Sequence, residues 1–184
     1  MMTVTTITSG RADLQGILDL QRANLKTNIT AEEKRAQGFV TMPFNMGMLE
    51  KFTGMYPSVI VKDDDKVVGY ALMVPLDARS FYPNIESMFV NFDGLKWKGR
   101  LLHDYRFYIM GQVCIDKSWR GKGILQEMYH KHRELFSKDF DFMITEVSIS
   151  NTRSLRAHEK IGFQVIHYHS DEMDDWAMVL WDWT

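Results

Sequence analysis

The sequence predicts a mixed α/β fold, and three observations carry that prediction. Apolar and β-branched runs of strand length recur at residues 4–7, 57–62, 66–74, 105–115, 142–149, 163–168 and 175–183. Between them lie stretches with apolar residues at helical spacing, clearest in Ile124, Met128, Tyr129, His132, Leu135 and Phe136. No linker, repeat or low-complexity segment divides the 184 residues, so the chain reads as one domain over residues 1–184.

Each element has its own local reason. After a short β-branched strand at 4–7, Leu14, Ile17, Leu18, Gln21 and Leu25 mark a helix over 12–25. Thr30 with Glu33 three residues later has capping-box form and starts a second helix reaching Gln37, and 45–52 suit a third, short one. Strands at 57–62 and 66–74 flank Asp63, Asp64 and Asp65, a charged turn that reads as a hairpin rather than a metal site. Residues 77–100 are the least regular stretch and read as a loop with a short helix. Their aromatics, Phe81, Tyr82, Phe89, Phe92 and Trp97, are expected to fill core. The last two strands form an antiparallel pair around the acidic turn Asp171 to Asp174.

Composition excludes several classes of function. With 45% hydrophobic and 25% charged residues the chain is that of an ordinary soluble domain. A net charge of -2 offers no general field for nucleic acid or an anionic membrane, and neither partner is expected. The single cysteine, Cys114, permits no internal disulfide and suits a reducing cytoplasm. No apolar run is long enough to span a bilayer, and the N-terminus lacks the pattern of a signal peptide. The six histidines show no convincing ligand set and no metal is expected, although His167 and His169 alternate on a strand and could face one side together.

The densest chemistry lies in residues 112–125. A strand runs into Asp116-Lys117-Ser118-Trp119-Arg120-Gly121-Lys122-Gly123, which opens the amphipathic helix at Ile124. A helix start leaves backbone N–H groups unpaired and carries partial positive charge, so glycines there let the chain approach an anion closely. Arg120 and Lys122 add charge, one as a planar fork and one as a point. The unit therefore reads as a phosphate site. A second group follows the strand at 142–149: Asn151, Arg153, Ser154, His158, Lys160, Gly162 and Phe163. Asn151 suits a helix N-cap, and Gly162 a left-handed C-terminal glycine.

This order of strand, basic glycine turn, helix, strand ending in Asn, and short helix closing on Lys-x-Gly-Phe resembles the Gcn5-related N-acetyltransferase (GNAT) family over residues 105–168. Arg120 and Gly123 fall on the first two fixed positions of its Arg/Gln-x-x-Gly-x-Gly/Ala turn. Leu125 departs from the third, and its side chain is expected to turn outward. The resemblance implies a central, mostly antiparallel, splayed sheet flanked by helices, with acetyl-CoA as cosubstrate and no metal. It places the pyrophosphate at Arg120, Gly121, Lys122, Gly123, Ile124 and Leu125. The pantetheine and acetyl groups would lie along Val113, Cys114 and Ile115 and beside Asn151.

The activity implied is acetyl transfer to a primary amine of a small molecule or peptide by direct attack, and a homodimer is compatible with it. His158 stands where the family usually has the Tyr proposed to protonate the leaving thiolate. As an imidazolium it could donate that proton, or it could be a packing residue. For a base, Glu146 interrupts an apolar strand near the expected splay, where burial would raise its pKa. Its alternative is a strand residue paired with Arg153 or another cation. Glu86, Asp104 and a water relayed by Gln112 are further candidates. Three other readings stay open: an acyl-CoA sensor without turnover, a transferase of longer acyl groups, and a nucleotide-binding regulator.

Overall fold

The structure, a computed structural model, describes residues 3–82, 89–90, 92 and 94–184. Pro83, Asn84, Glu86, Asn91 and Asp93 of the irregular stretch lie outside the described residues. Seven strands form the main sheet: β1 (Thr3–Ile7), β2 (Val59–Asp63), β3 (Lys66–Val74), β6 (Phe107–Ile115), β7 (Phe142–Ser148), β8 (Gln164–Ser170) and β9 (Asp175–Asp182). Their order is β1-β2-β3-β6-β7-β9-β8. All neighbours are antiparallel except β6 and β7. A small hairpin of β4 (Lys96–Trp97) and β5 (Arg100–Leu101) stands apart. Helices α1 (Arg11–Asn24), α2 (Ala31–Gln37) and α3 (Met46–Met55) precede β2, α4 (Ile124–Phe136) joins β6 to β7, and α5 (Thr152–Ile161) joins β7 to β8.

The core lies on both faces of the sheet, and the two-residue side-chain period explains how. Along β3, Tyr70, Leu72 and Val74 join a cluster with Leu14, Ile17, Leu49 and Phe52 of α1 and α3. The intervening Ala71 and Met73 join a second cluster with Met128, Tyr129 and Phe136 of α4. Central strands thus read as unbroken apolar runs because each face has its own helices. Tyr82, Phe89 and Phe92 are buried in the first cluster, with Phe81 and Trp97 packed against it, so these aromatics are core as expected.

Local chemistry fixes the helix ends. Thr30 and Glu33 form the reciprocal capping box of α2. The side-chain oxygen of Asn45 accepts from the Met48 amide at the start of α3, and that of Asn151 from the Ser154 amide at the start of α5. Gly162 ends α5 at φ 115°, a conformation that favours glycine.

Two irregularities shape the centre of the sheet. β6 and β7 pair only over Phe107–Phe142, Tyr108–Met143 and Ile109–Ile144, and beyond that the parallel strands part. On the other edge of β6 the register shifts, with Leu72 opposite Gln112 but Met73 opposite Met110. Gly111 is therefore an extra residue, a bulge that bends the strand at the parting. A Cβ built there would lie 2.3 Å from Cγ2 of the buried Val74. Gly111→Ala is accordingly predicted to lower the unfolding free energy by about 1–3 kcal/mol. Urea titration checks this, and an unchanged midpoint would mean that the strand tolerates the methyl group.

Candidate active site

The parting of β6 and β7 opens two adjoining cavities. The larger, about 280 Å³, is lined on one side by Val113, Cys114 and Ile115 of β6 and by Arg120, Gly121, Gly123, Ile124 and Leu125. Gly38, Asn151, Ser154 and His158 line it on the other. The smaller, about 100 Å³, lies between the parted strands and is lined by Gln112, Thr145, Glu146, Ser148, Asp171, Met173 and Trp176 among others. Phe39, Val40, Val113, Asn151, Ser154 and His158 border both, so the two spaces meet at the splay.

At one end of the larger cavity the turn into α4 has the form of an anion cradle. Gly121 and Gly123 have φ of 77° and 85°, and no side chain caps the helix. A Cβ at either glycine would meet nothing within 4 Å. The glycines are thus required by backbone conformation and not by crowding, and the turn borders the cavity. Arg153 and Lys160 add charge at the cavity wall. Open amides, positive helix end and cationic wall together suit a pyrophosphate.

Two expected phosphate ligands are used differently. Arg120 turns inward: Nε donates to the Ile115 carbonyl at 2.9 Å, Nη1 to the Gln37 carbonyl at 2.6 Å and Nη2 to Oδ1 of Asn24 at 2.6 Å. Its planar fork matches three oxygens and ties the turn to β6, α1 and α2. Lys122 is not among the residues lining the cavity; its ammonium lies 4.4 Å from the Trp119 ring centroid, a cation–π contact. Leu125 also departs from expectation, since it is half-buried against the second core cluster while bordering the cavity.

A strap of chain at residues 36–42 closes over both cavities, and sequence patterning does not reveal it. Arg153 donates to the Ala36 carbonyl, Arg120 to that of Gln37, Asn151 to that of Phe39 and Gln112 to that of Met42. Asn151 therefore both caps α5 and holds the strap. Gln112 also accepts from the Tyr70 hydroxyl at 2.6 Å, so each end of its amide has a protein partner beside the smaller cavity.

The titratable groups sort by burial. His158 is 2% exposed, and Nδ1 lies 2.8 Å from the Ser154 carbonyl, which can only accept. The ring hydrogen is thus on Nδ1, and Nε2 accepts from the Tyr129 hydroxyl at 2.6 Å. Burial lowers its pKa to about 4. His158 is therefore neutral near pH 7, which corrects the imidazolium reading of the two offered: the cost of desolvating a charged ring outweighs the Ser154 carbonyl, which favours the charge. Cys114, buried in the cavity wall, is pushed up to about 12 by desolvation and stays a thiol.

Glu146 faces the smaller cavity. Oε1 accepts from Nε2 of His169 at 2.6 Å, and both side chains are about nine-tenths buried. Burial raises its pKa, His169 works against the rise, and the charge of Asp171 adds to it. The partner of Glu146 is thus His169 and not Arg153. Asp104 is half-exposed beside His103 before the start of β6, at the end of the strand away from the splay, so it does not reach the site. Among the described residues no group of three or more His, Cys, Asp or Glu is placed to hold a metal ion.

A sequence model described as the acetyltransferase (GNAT) family matches residues 27–163, well over half the chain. The chain belongs to the acetyltransferase (GNAT) family. Comparison with curated proteins yields no sequence match. Among solved structures, the ribosomal-protein-S18-alanine N-acetyltransferase of Escherichia coli superposes with a TM-score of 0.64 at 13% identity, covering 98% of this chain and 94% of that one. The NatC complex bound to Gag peptide and CoA gives 0.66 at 14% identity, with 100% of both chains covered. A putative acetyltransferase of Salmonella typhimurium with its cofactor acetyl-CoA gives 0.62 at 14%, covering 99% and 94%. At these identities the structural likeness establishes the GNAT fold, a mostly antiparallel seven-stranded sheet flanked by helices. Among the described residues no helix is long and apolar enough to cross a membrane.

The buried histidines generate a pH prediction. His132, wholly buried between Tyr108 and the Ala71 carbonyl, is also lowered to about 4. For both rings the folded pKa lies below the unfolded value, so the unfolded chain binds more protons as pH falls. Stability is full above about pH 6.5 and drops towards pH 4, by about 1.4 kcal/mol per pH unit for each histidine within that window. Urea unfolding at pH 7.0, 5.5 and 4.5 measures it, and a flat profile would contradict the neutral, buried assignment.

Proposed function

We propose that this acetyltransferase moves the acetyl group of acetyl-CoA to a primary amine of a small molecule or peptide by direct attack. The observation that carries this reading is the junction of the two cavities. An open helix start lies at the far end of one, and a buried carboxylate, Glu146, lies in the other. Acetyl-CoA supplies an acetyl thioester. The amides of Gly121 to Leu125 hold its pyrophosphate, with Arg120 fixing the turn and Lys122 contributing charge from outside the cavity wall. The backbone of Val113, Cys114 and Ile115, with Asn151 opposite, lines the path of the pantetheine arm to the splay. A metal has no part in this scheme.

An amine of Lys-like pKa near 10.4 is almost wholly protonated at neutral pH, so a group must remove its proton before it can attack. Glu146 is placed to do so from the smaller cavity, and burial suits its pKa to that task. The raised pKa of Cys114 favours direct attack over an acyl-cysteine route, because its thiol is not ionised. His158, bonded to Tyr129 and Ser154 at the junction, contributes a neutral polar wall.

Two substitutions test the assignment. Gly123→Glu places a negative side chain before the helix start and is expected to abolish acetyl-CoA binding by titration calorimetry; unchanged affinity would remove the phosphate site. Glu146→Gln is expected to lower the turnover of thiol release against amines about 10²–10⁴-fold while acetyl-CoA affinity stays within about two-fold. Full turnover in that variant would exclude Glu146 as the base.

A further inference from the structure

We propose that His169 is a positioning residue of the acetyl-transfer reaction: from the sheet edge it holds Glu146 as an oriented carboxylate, so that its other oxygen faces the amine cavity. The inference rests on the acetyltransferase reading above and extends it to a residue that no sequence motif marks.

The geometry is specific. Glu146 lies on β7 and His169 on β8, and β9 runs between them. Glu146 stands opposite Met178, and His169 stands opposite Trp176, two residues away along β9. The two side chains therefore reach across an intervening strand to meet at 2.6 Å with about nine-tenths of each removed from solvent. Glu146 borders the smaller cavity and His169 does not, so the carboxylate lies between the ring and the acceptor space. An uncompensated carboxylate at that depth would hold a proton and could not accept one. One N–H donated to Oε1 offsets this cost and leaves Oε2 towards the cavity.

The surrounding charges make His169 the compensating group. Asp171, after β8, borders the cavity and opposes ionisation of Glu146. Its Oδ1 accepts from the amides of Met173 and Asp174 and from the Trp176 indole. Asp174 is taken by Lys26 at 2.6 Å. On the α5 side His158 is neutral, and across the cavity Gln112 on β6 carries no charge. His167 stacks on His169 with ring centroids 6.1 Å apart.

In the step inferred, the N–H bond of the protonated amine breaks and its proton passes to Oε2 of Glu146. The freed nitrogen lone pair then attacks the thioester carbonyl carbon; the N–C bond forms, the C–S bond breaks, and the second amine proton passes through cavity water to the departing CoA thiolate, which leaves as the thiol. His169 keeps its Nε2 hydrogen on Oε1 throughout and is not consumed. Water exchanging through the cavity clears the proton from Glu146 after product leaves.

The test follows the Glu146 carboxyl directly, in protein labelled with ¹³C-glutamate, its signal assigned from Glu146→Gln. Replacing His169 by Phe keeps the ring and removes the donor. His169→Gln keeps a neutral donor. The Glu146 midpoint is expected to rise by about one pH unit or more in the Phe variant and by less in the Gln variant. The acid limb of thiol release should move up with it. A midpoint that stays in place in both variants would overturn the proposal, even if either variant lost stability or activity. Thermal protection by acetyl-CoA in the same samples tests the underlying reading separately. Protection with an unmoved midpoint removes His169 alone, whereas no protection removes the transferase reading whatever the carboxyl does.

Discussion

The parting of two parallel strands is the constraint on which the rest of the molecule depends. β6 and β7 share only three residue pairs before they diverge, which leaves the backbone of 113–115 without a strand partner on that side. Exposed strand edges invite pairing with another chain unless something occupies them. In this protein the gap is bridged by α5 and the strap at 36–42, and the remaining space is the two cavities. The bulge at Gly111 bends β6 at the point of divergence, so the opening is built into the strand and does not rely on a ligand to hold it.

Around that opening, side chains that could have served as phosphate ligands or relays act as struts. Arg120, Arg153, Asn151 and Gln112 each give a donor to a carbonyl of the strap. Two of these bonds hold the last turn of α2 and two hold the irregular segment after it. The strap in turn lines the smaller cavity through Phe39, Val40 and Met42. On the proposed reading, binding falls to backbone amides, which carry no side-chain identity, and charge near the amine falls to Glu146 and Asp171.

Much of this was legible in the sequence, because it depends on local pattern. The run from β6 through the glycine turn into α4 is one continuous stretch, and its strand, turn and helix each have a distinct signature. The cap at Asn151 and the stop at Gly162 were equally visible, as were Val113, Cys114, Ile115, Gly121 and Gly123 beside one cavity. What the sequence hid depends on distance. That Arg120 would spend its fork on three oxygens follows from where α1 and α2 pack. That His158 would be neutral follows from its burial, with Tyr129 of another helix packed against the ring. The alternation of His167 and His169 placed both rings on one side, but the partner of His169 lies beyond β9, and no spacing rule joins two strands that are not neighbours.

The central claim is that the larger cavity is an acetyl-CoA site read by its backbone turn. Thermal unfolding with acetyl-CoA at about 100 times its Kd, beside the same concentration of ATP, tests it most directly. The account predicts stabilisation of about 2.7 kcal/mol by acetyl-CoA, seen as a rise in Tm of several degrees, with far less from ATP. Equal stabilisation by both would make the turn a general nucleotide site, and none by acetyl-CoA would contradict the account.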